Sequence, residues 1–207
     1  MDLVVKRLGV MGGTFDPIHL GHLIAASEAL HEFRLDRVMF VPTGRPWQKR
    51  SFADAEDRFQ MTVLGAASNP RFAVSRMEID RVGPTYTVDT MRVLKDFHGE
   101  EAELFFIIGA DAVLRLGTWR GIEALEELAE IIAVTRPGFD LAELKPRPGW
   151  PEVRFMAMPP IDISSSDIRE RVRSGRPIDY LVPRVVGHYV RTHGLYMGPL
   201  EPEPAGA

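Results

Sequence analysis

Six short runs rich in β-branched and aromatic residues alternate along this chain with longer segments of helical period, and no other feature constrains the fold as strongly. The runs are RLGVMG from Arg7, RVMFVPTG from Arg37, FAVSRMEI from Phe72, AELFFIIGA from Ala102, EIIAVTRPG from Glu130 and VRFMAMPP from Val153. The helical segments are LIAASEALHEF, DAEDRFQMTVLGAAS, TVDTMRVLKDF and GIEALEELA, followed by SSDIRERVRSG and PRVVGHYVRTHG. Parallel strands need long crossovers, and helices between strands supply them. The order therefore predicts an α/β fold with a mainly parallel sheet and helices on both faces. With 207 residues and no internal repeat, residues 1–198 are expected to form one domain, with 199–207 as a disordered tail. The segment PGFDLAELKPRPGWPE reads as a Pro/Gly-punctuated loop.

Composition removes several kinds of chemistry. The chain has no cysteine, so disulfides, thiolate metal sites and cysteine nucleophiles are absent, which suits a reducing cytoplasm. No apolar stretch approaches the roughly 20 residues needed to cross a bilayer, and MDLVVKRLGV lacks a signal peptide's apolar segment and cleavage site. A net charge of −4 opposes a broad nucleic-acid footprint, because duplex binding rests on phosphate neutralisation. An anionic small ligand needs only a local positive site.

The stretch GGTFDPIHLGHL, Gly12 to Leu23, offers one. Gly12 and Gly13 end the first strand, where missing side chains let backbone N–H groups approach an anion, although glycines also simply make turns. Asp16 and Pro17 read as a helix N-cap and first helical residue, so a helix is expected to start near His19 with N–H groups available for phosphate. A spacing of three puts His19 and His22 on the same side of that turn, with Gly21 leaving room for a ligand. The histidines could instead be polar caps, core residues or metal ligands. HxxH supplies only two ligands, and no neighbouring residue completes a usual set. No serine with a triad-like partner stands out by spacing, so phosphate chemistry is favoured over nucleophilic catalysis.

A second stretch, ISSSDIRERVRSG from Ile163 to Gly175, carries a strong capping signal in its serines and Asp167, with Arg169 near the first turn. Those serines could serve only as caps. Combined with the first stretch, two helix N-termini could hold several phosphates, one offering histidines and the other hydroxyls and arginine. Arg173 could share the face of Arg169, whereas Arg171 points elsewhere.

These residues resemble the nucleotidyltransferase superfamily marked by HxGH and a distal Ser/Thr-rich stretch ending in arginine. More narrowly, GPTYTVDTM, FIIGADA with the later Trp119, TRPG and YLVPRVVGHYVRTHGLY are similar, in order, to the bacterial nicotinate-mononucleotide adenylyltransferase family. The resemblance implies a Rossmann-like, doubly wound sheet. It implies transfer of AMP from ATP to nicotinate mononucleotide, giving nicotinate adenine dinucleotide and pyrophosphate, with Mg2+ bound mainly through the ATP phosphates. His22 and His19 would be catalytic. Gly13, Thr14, Phe15, Ser164, Ser165 and Arg169 would join them in binding ATP. Lys49, Thr87, Gly109, Asp111, Trp119, Arg120 and Arg136 would bind the acceptor. In that family's pattern a histidine usually stands where this chain has Gln48, and often a tyrosine where it has Arg120.

Asp111 also reads as a loop cap, and Arg120 as an exposed arginine. Arg45, Lys49 and Arg50 form a basic cluster that is either solvated loop or a contact to the acceptor phosphate. His31, His98, His188 and His193 have no obvious partners. Rival readings are a sibling acting on nicotinamide mononucleotide, pantetheine phosphate or a polyol phosphate, and a nucleotide-binding regulator without turnover. No nucleic-acid or membrane partner is expected, and a homo-oligomer stays open.

Overall fold

The computed structural model describes residues 5–45, 51–135 and 151–198. Six strands form one sheet in the order β3-β2-β1-β4-β5-β6, where β1 is Arg7–Gly13, β2 Arg37–Pro42, β3 Phe72–Val74, β4 Glu103–Gly109, β5 Glu130–Thr135 and β6 Val153–Ala157. This is the doubly wound order, in which the sequence leaves β1 outward to β3 and then returns to β4 on its other side. Pairing is parallel and in continuous register from β1 to β6 by way of β4 and β5, with Met11 opposite Ile107 and Ile107 opposite Ile132.

Around the sheet lie α1 (Leu20–Glu32), α2 (Ala55–Ala66), α3 (Thr87–His98), α4 (Ala110–Val113), α5 (Ile122–Leu125), α6 (Ser165–Arg173) and α7 (Arg184–Thr192). Leu104 to Ile108 are all buried, as are Ile131 to Val134. Such unbroken apolar runs mark strands covered on both faces. Each fully buried side chain of this kind contributes roughly 1.5–3 kcal/mol.

The chain divides into two compact units. The first comprises residues 1–12, 25–39 and 86–161, and the second residues 13–24, 40–85 and 162–207. In the first, Gly9 gives room to Leu35, Val38 and Ile107, since an added Cβ would lie 2.7 Å from the Leu35 side chain. In the second, α2 packs on α7 and β3. The proposed tail from 199 lies outside the described residues, as does nearly all of the proposed Pro/Gly loop.

Two predicted elements are shorter than their patterns suggested. FAVSRMEI is strand only through Val74, because the chain then turns: the Asp80 N–H donates to the Arg76 carbonyl, and the Arg76 side chain pairs with Asp80. GIEALEELA is helical only over Ile122–Leu125, after Gly121 in a left-handed conformation at φ 70°. No helix among the described residues is long and apolar enough to cross a membrane.

Candidate active site

The second unit holds both phosphate-type motifs. After Gly13, Phe15 takes a positive φ of 49°, and Asp16-Pro17 is a cis peptide. α1 begins at Leu20, one residue past the predicted start. The His19 and His22 rings stack with centroids 3.7 Å apart and planes 25° apart, so the spacing of three does place them on one side. The His19 N–H donates to His22 Nδ1 at 3.3 Å. A neutral His22 therefore keeps its proton on Nε2, leaving that N–H as the ring's donor. The Phe15 ring also meets His22 at 5.1 Å in a T-shaped contact, which further fixes the ring.

Three expectations about this turn change. Asp16 is not a helix N-cap: it is buried, and its carboxylate accepts from the Phe52 N–H at 2.7 Å, the Ala53 N–H at 3.1 Å and the Tyr196 hydroxyl at 2.7 Å. Pro17 is not the first helical residue. The space beside Gly21 is taken by His19, since an added Cβ would sit 3.0 Å from its Nδ1. At the helix start, the Leu20 N–H donates to the Leu181 carbonyl, so one donor there is already used by the protein.

α6 meets the same segment. Ser164 is its N-cap, accepting from the Asp167 N–H at 3.1 Å. Ser165 donates its hydroxyl proton to the Pro17 carbonyl at 3.0 Å, so any donor it offers a phosphate must be its backbone N–H unless the hydroxyl turns. Arg169 donates through Nη1 to the Asp16 carbonyl at 2.7 Å and through Nη2 to the Ser166 hydroxyl at 3.1 Å, and stacks over Phe52 at 4.2 Å. Its Nε is buried and bonds to no described residue. Burial lowers the Arg169 pKa from its usual value, with Asp16 and then Tyr196 opposing; a guanidinium stays charged all the same. Arg173 does not join Arg169: it pairs with Glu170, and Arg171 pairs with Asp167.

Sequence reasoning missed Arg58. It is fully buried in α2 and donates to four backbone carbonyls: Ala53 at 3.3 Å, Thr14 at 2.9 Å, Thr43 at 2.6 Å and Gly44 at 3.0 Å. One side chain thus holds the loop after β1 and the loop after β2. The signal was present, because Arg58 shares a stripe with Met61, Thr62, Gly65 and Ala66, the buried face of the helix. Tyr196 gave no local signal, being 180 residues from its partner.

The described acceptor-side candidates belong to the first unit, where several gather. Thr87 opens α3 beside Tyr86, over whose ring the Arg120 guanidinium lies at 4.8 Å. Gly121 sits against Val88, and the Trp119 ring meets Phe106 of β4 at 5.9 Å in a T-shaped contact. Gly109 and Asp111 follow that strand; an added Cβ at Gly109 would lie 2.6 Å from the Asp111 carboxylate. Asp111 is exposed and 3.6 Å from Arg115, which suits either a ribose contact or a loop role. Lys49, Arg50, Gln48 and Arg136 lie outside the described residues. His31, His188 and His193 are exposed, the last stacked on Tyr189.

Residues 10–171 match the family model described as cytidylyltransferase-like. The chain is 55% identical over 203 residues to a protein of Leifsonia xyli subsp. xyli named "probable nicotinate-nucleotide adenylyltransferase", covering 95% of this chain and 98% of that one. A protein of Moorella thermoacetica with the same name is 48% identical over 206 residues, covering 95% of each. Among solved structures, the nicotinic acid mononucleotide adenylyltransferase of Plasmodium falciparum complexed with NaAD superposes with a TM-score of 0.75 at 21% identity, over 95% of this chain and all of that one. At that identity the likeness is one of fold.

Proposed function

Because the chain belongs to the cytidylyltransferase-like family and, within it, to the nicotinate-nucleotide adenylyltransferases, we propose that its paired histidines and Arg169 bind ATP while it transfers AMP to nicotinate mononucleotide, releasing pyrophosphate. The observation that carries this reading is the part-buried guanidinium of Arg169, whose buried Nε bonds to no described residue, in the unit that also holds the stacked His19 and His22. A part-buried cation with a spare donor suits an anionic ligand.

The acceptor phosphate attacks the α-phosphorus in line, a P–O bond forms, and the bond to pyrophosphate breaks. No covalent enzyme intermediate is needed, so the protein's tasks are alignment and charge stabilisation. His22 directs Nε2–H at a non-bridging oxygen of the α-phosphate, where charge builds. His19 supports it, and the backbone of Gly13, Thr14 and Phe15 lines the same pocket. Arg169 and the backbone at Ser164 and Ser165 receive the leaving pyrophosphate. Among the described residues no three His, Asp or Glu side chains converge as a metal cage; the donor set fits Mg2+ carried by the ATP phosphates, where it would neutralise charge. On the acceptor side, Trp119 supplies a face for the pyridine ring. The nicotinate carboxylate takes backbone N–H groups near Thr87 and Arg120, while Asp111 bonds a ribose hydroxyl; Gly109, Lys49 and Arg136 complete the set.

The test is pyrophosphate release with ATP, Mg2+ and an acceptor panel: nicotinate mononucleotide, nicotinamide mononucleotide, pantetheine phosphate and a polyol phosphate, the last also with CTP. Nicotinate mononucleotide should give the highest kcat/KM. Comparable efficiency on the two mononucleotides would refute acid selectivity, and no release from any acceptor despite measurable ATP binding would refute turnover.

A further inference from the structure

Asp16 lies buried at 3% exposure, and three donors from distant parts of the chain share its carboxyl oxygens: two backbone N–H groups at Phe52 and Ala53, and the hydroxyl of Tyr196. Arg169 stands beside it, yet its Nη1 stops 4.0 Å from Asp16 Oδ2 and donates instead to the Asp16 backbone carbonyl at 2.7 Å. A carboxylate already satisfied by three donors exerts a weaker pull on a fourth. Tyr196 is itself held in place at a cost, since it takes a left-handed φ of 64° that a bulky residue seldom adopts. Burial, followed by Asp16, pushes its hydroxyl far above the usual tyrosine range, which favours the protonated, donating form.

We propose that Tyr196 is a positioning residue which, by occupying Asp16, keeps the Arg169 guanidinium from closing onto that carboxylate and so leaves it placed for the outer phosphates of ATP. The proposal rests on the reading of Arg169 as the ligand of those phosphates. Without the hydroxyl, the carboxylate keeps only the Phe52 N–H on Oδ2 and the Ala53 N–H on Oδ1, and the less-compensated group draws in Arg169, whose Nη1 stands 4.0 Å from Oδ2. The guanidinium is then held toward Asp16 and away from the ATP phosphates. The effect falls on binding of the triphosphate and of pyrophosphate, whereas AMP, which lacks the outer phosphates, is unaffected.

Tyr196→Phe removes one oxygen and leaves the ring packed. Calorimetric titration with ATP, AMP and inorganic pyrophosphate should show ATP and pyrophosphate affinity falling by about three- to tenfold, the weight of one ordinary hydrogen bond, with AMP within twofold. The steady-state counterpart is a raised KM for ATP at little change in kcat. A structural lesion would instead weaken all three ligands together. Unchanged ATP affinity, or equal losses for ATP and AMP, would overturn the proposal. A double-mutant cycle supplies the second readout: in an Arg169→Ala background, Tyr196→Phe should add nothing to the ATP loss, and additive losses would refute action through Arg169. The Arg169→Ala protein alone tests the underlying reading, because losses there that are equal for ATP and AMP would remove Arg169 from the outer phosphates.

Discussion

His22 shows how one short bond sets the chemistry of a side chain. Its Nδ1 accepts from the His19 N–H, and the rings of His19 and Phe15 pack against it, so its remaining nitrogen points a donor in a fixed direction. A donor held before the reaction begins contributes most where charge appears in the transition state. His22→Ala should therefore lose kcat by roughly 100- to 1000-fold, the usual cost of an oxyanion-type donor, with much less change in ATP affinity. Single-turnover rates and ATP titrations on the same preparation measure both. A rate within a few-fold of the parent would remove His22 from this role. The spacing of His19 and His22 was legible in the sequence because three residues on a helix are neighbours by geometry alone. The fate of Asp16 was not, because its donors come from residues 52, 53 and 196, which no local pattern brings together.

At the scale of elements, α2 does more than cover the sheet. Its Arg58 reaches four carbonyls, all on segments that precede the helix, and Gly44, one of them, lies so close to the Glu78 carbonyl that an added Cβ would sit 2.0 Å away. The loops after β1 and β2 are thus built around one guanidinium fork. Replacing it with methionine leaves buried carbonyls without donors, at roughly 1–3 kcal/mol for each one that water cannot reach. Arg58→Met should lower the thermal midpoint sharply. Arg58→Lys keeps the charge but not the planar fork, and should fold with a clearly reduced kcat/KM. Full activity in the lysine variant would mean that the fork does not shape the loop carrying Thr14. Strand and helix identities were readable because their periods are local. The charge of Arg58 suggests a solvated position, although its place on the Met61 stripe marks it as buried. Asp16 and Pro17 were over-read for the opposite reason: they match a capping pattern, but the side chain's stronger partners lie elsewhere.

Across the whole molecule, two tyrosines tie stability to alkaline pH. Tyr189 of α7 donates to the Asp57 carboxylate of α2 at 2.8 Å; burial and then that bond push its pKa up to about 12, with Asp54 and Glu56 adding to the shift. Burial and Asp16 raise that of Tyr196 further. Unfolded, both phenols titrate near 10. Below pH 10 they are protonated in either state, and their contribution to stability is complete. Between pH 10 and about 12 the unfolded chain releases protons that the folded chain still holds, so unfolding becomes easier as pH rises. The sign is fixed by the direction of the shift: a raised folded pKa means stability lost with increasing pH. Denaturant midpoints taken from pH 9 to pH 12 should fall steadily through this window in the parent protein. Tyr189→Phe and Tyr196→Phe should each start from a lower midpoint at pH 9, having lost a hydrogen bond to a carboxylate, and then decline less steeply, having lost one of the titrating groups. Parallel curves for parent and variants would show that neither phenol holds its proton more tightly in the folded state, and that the Asp57 and Asp16 contacts are too weak to link α7 and the Tyr196 segment to the rest of their unit.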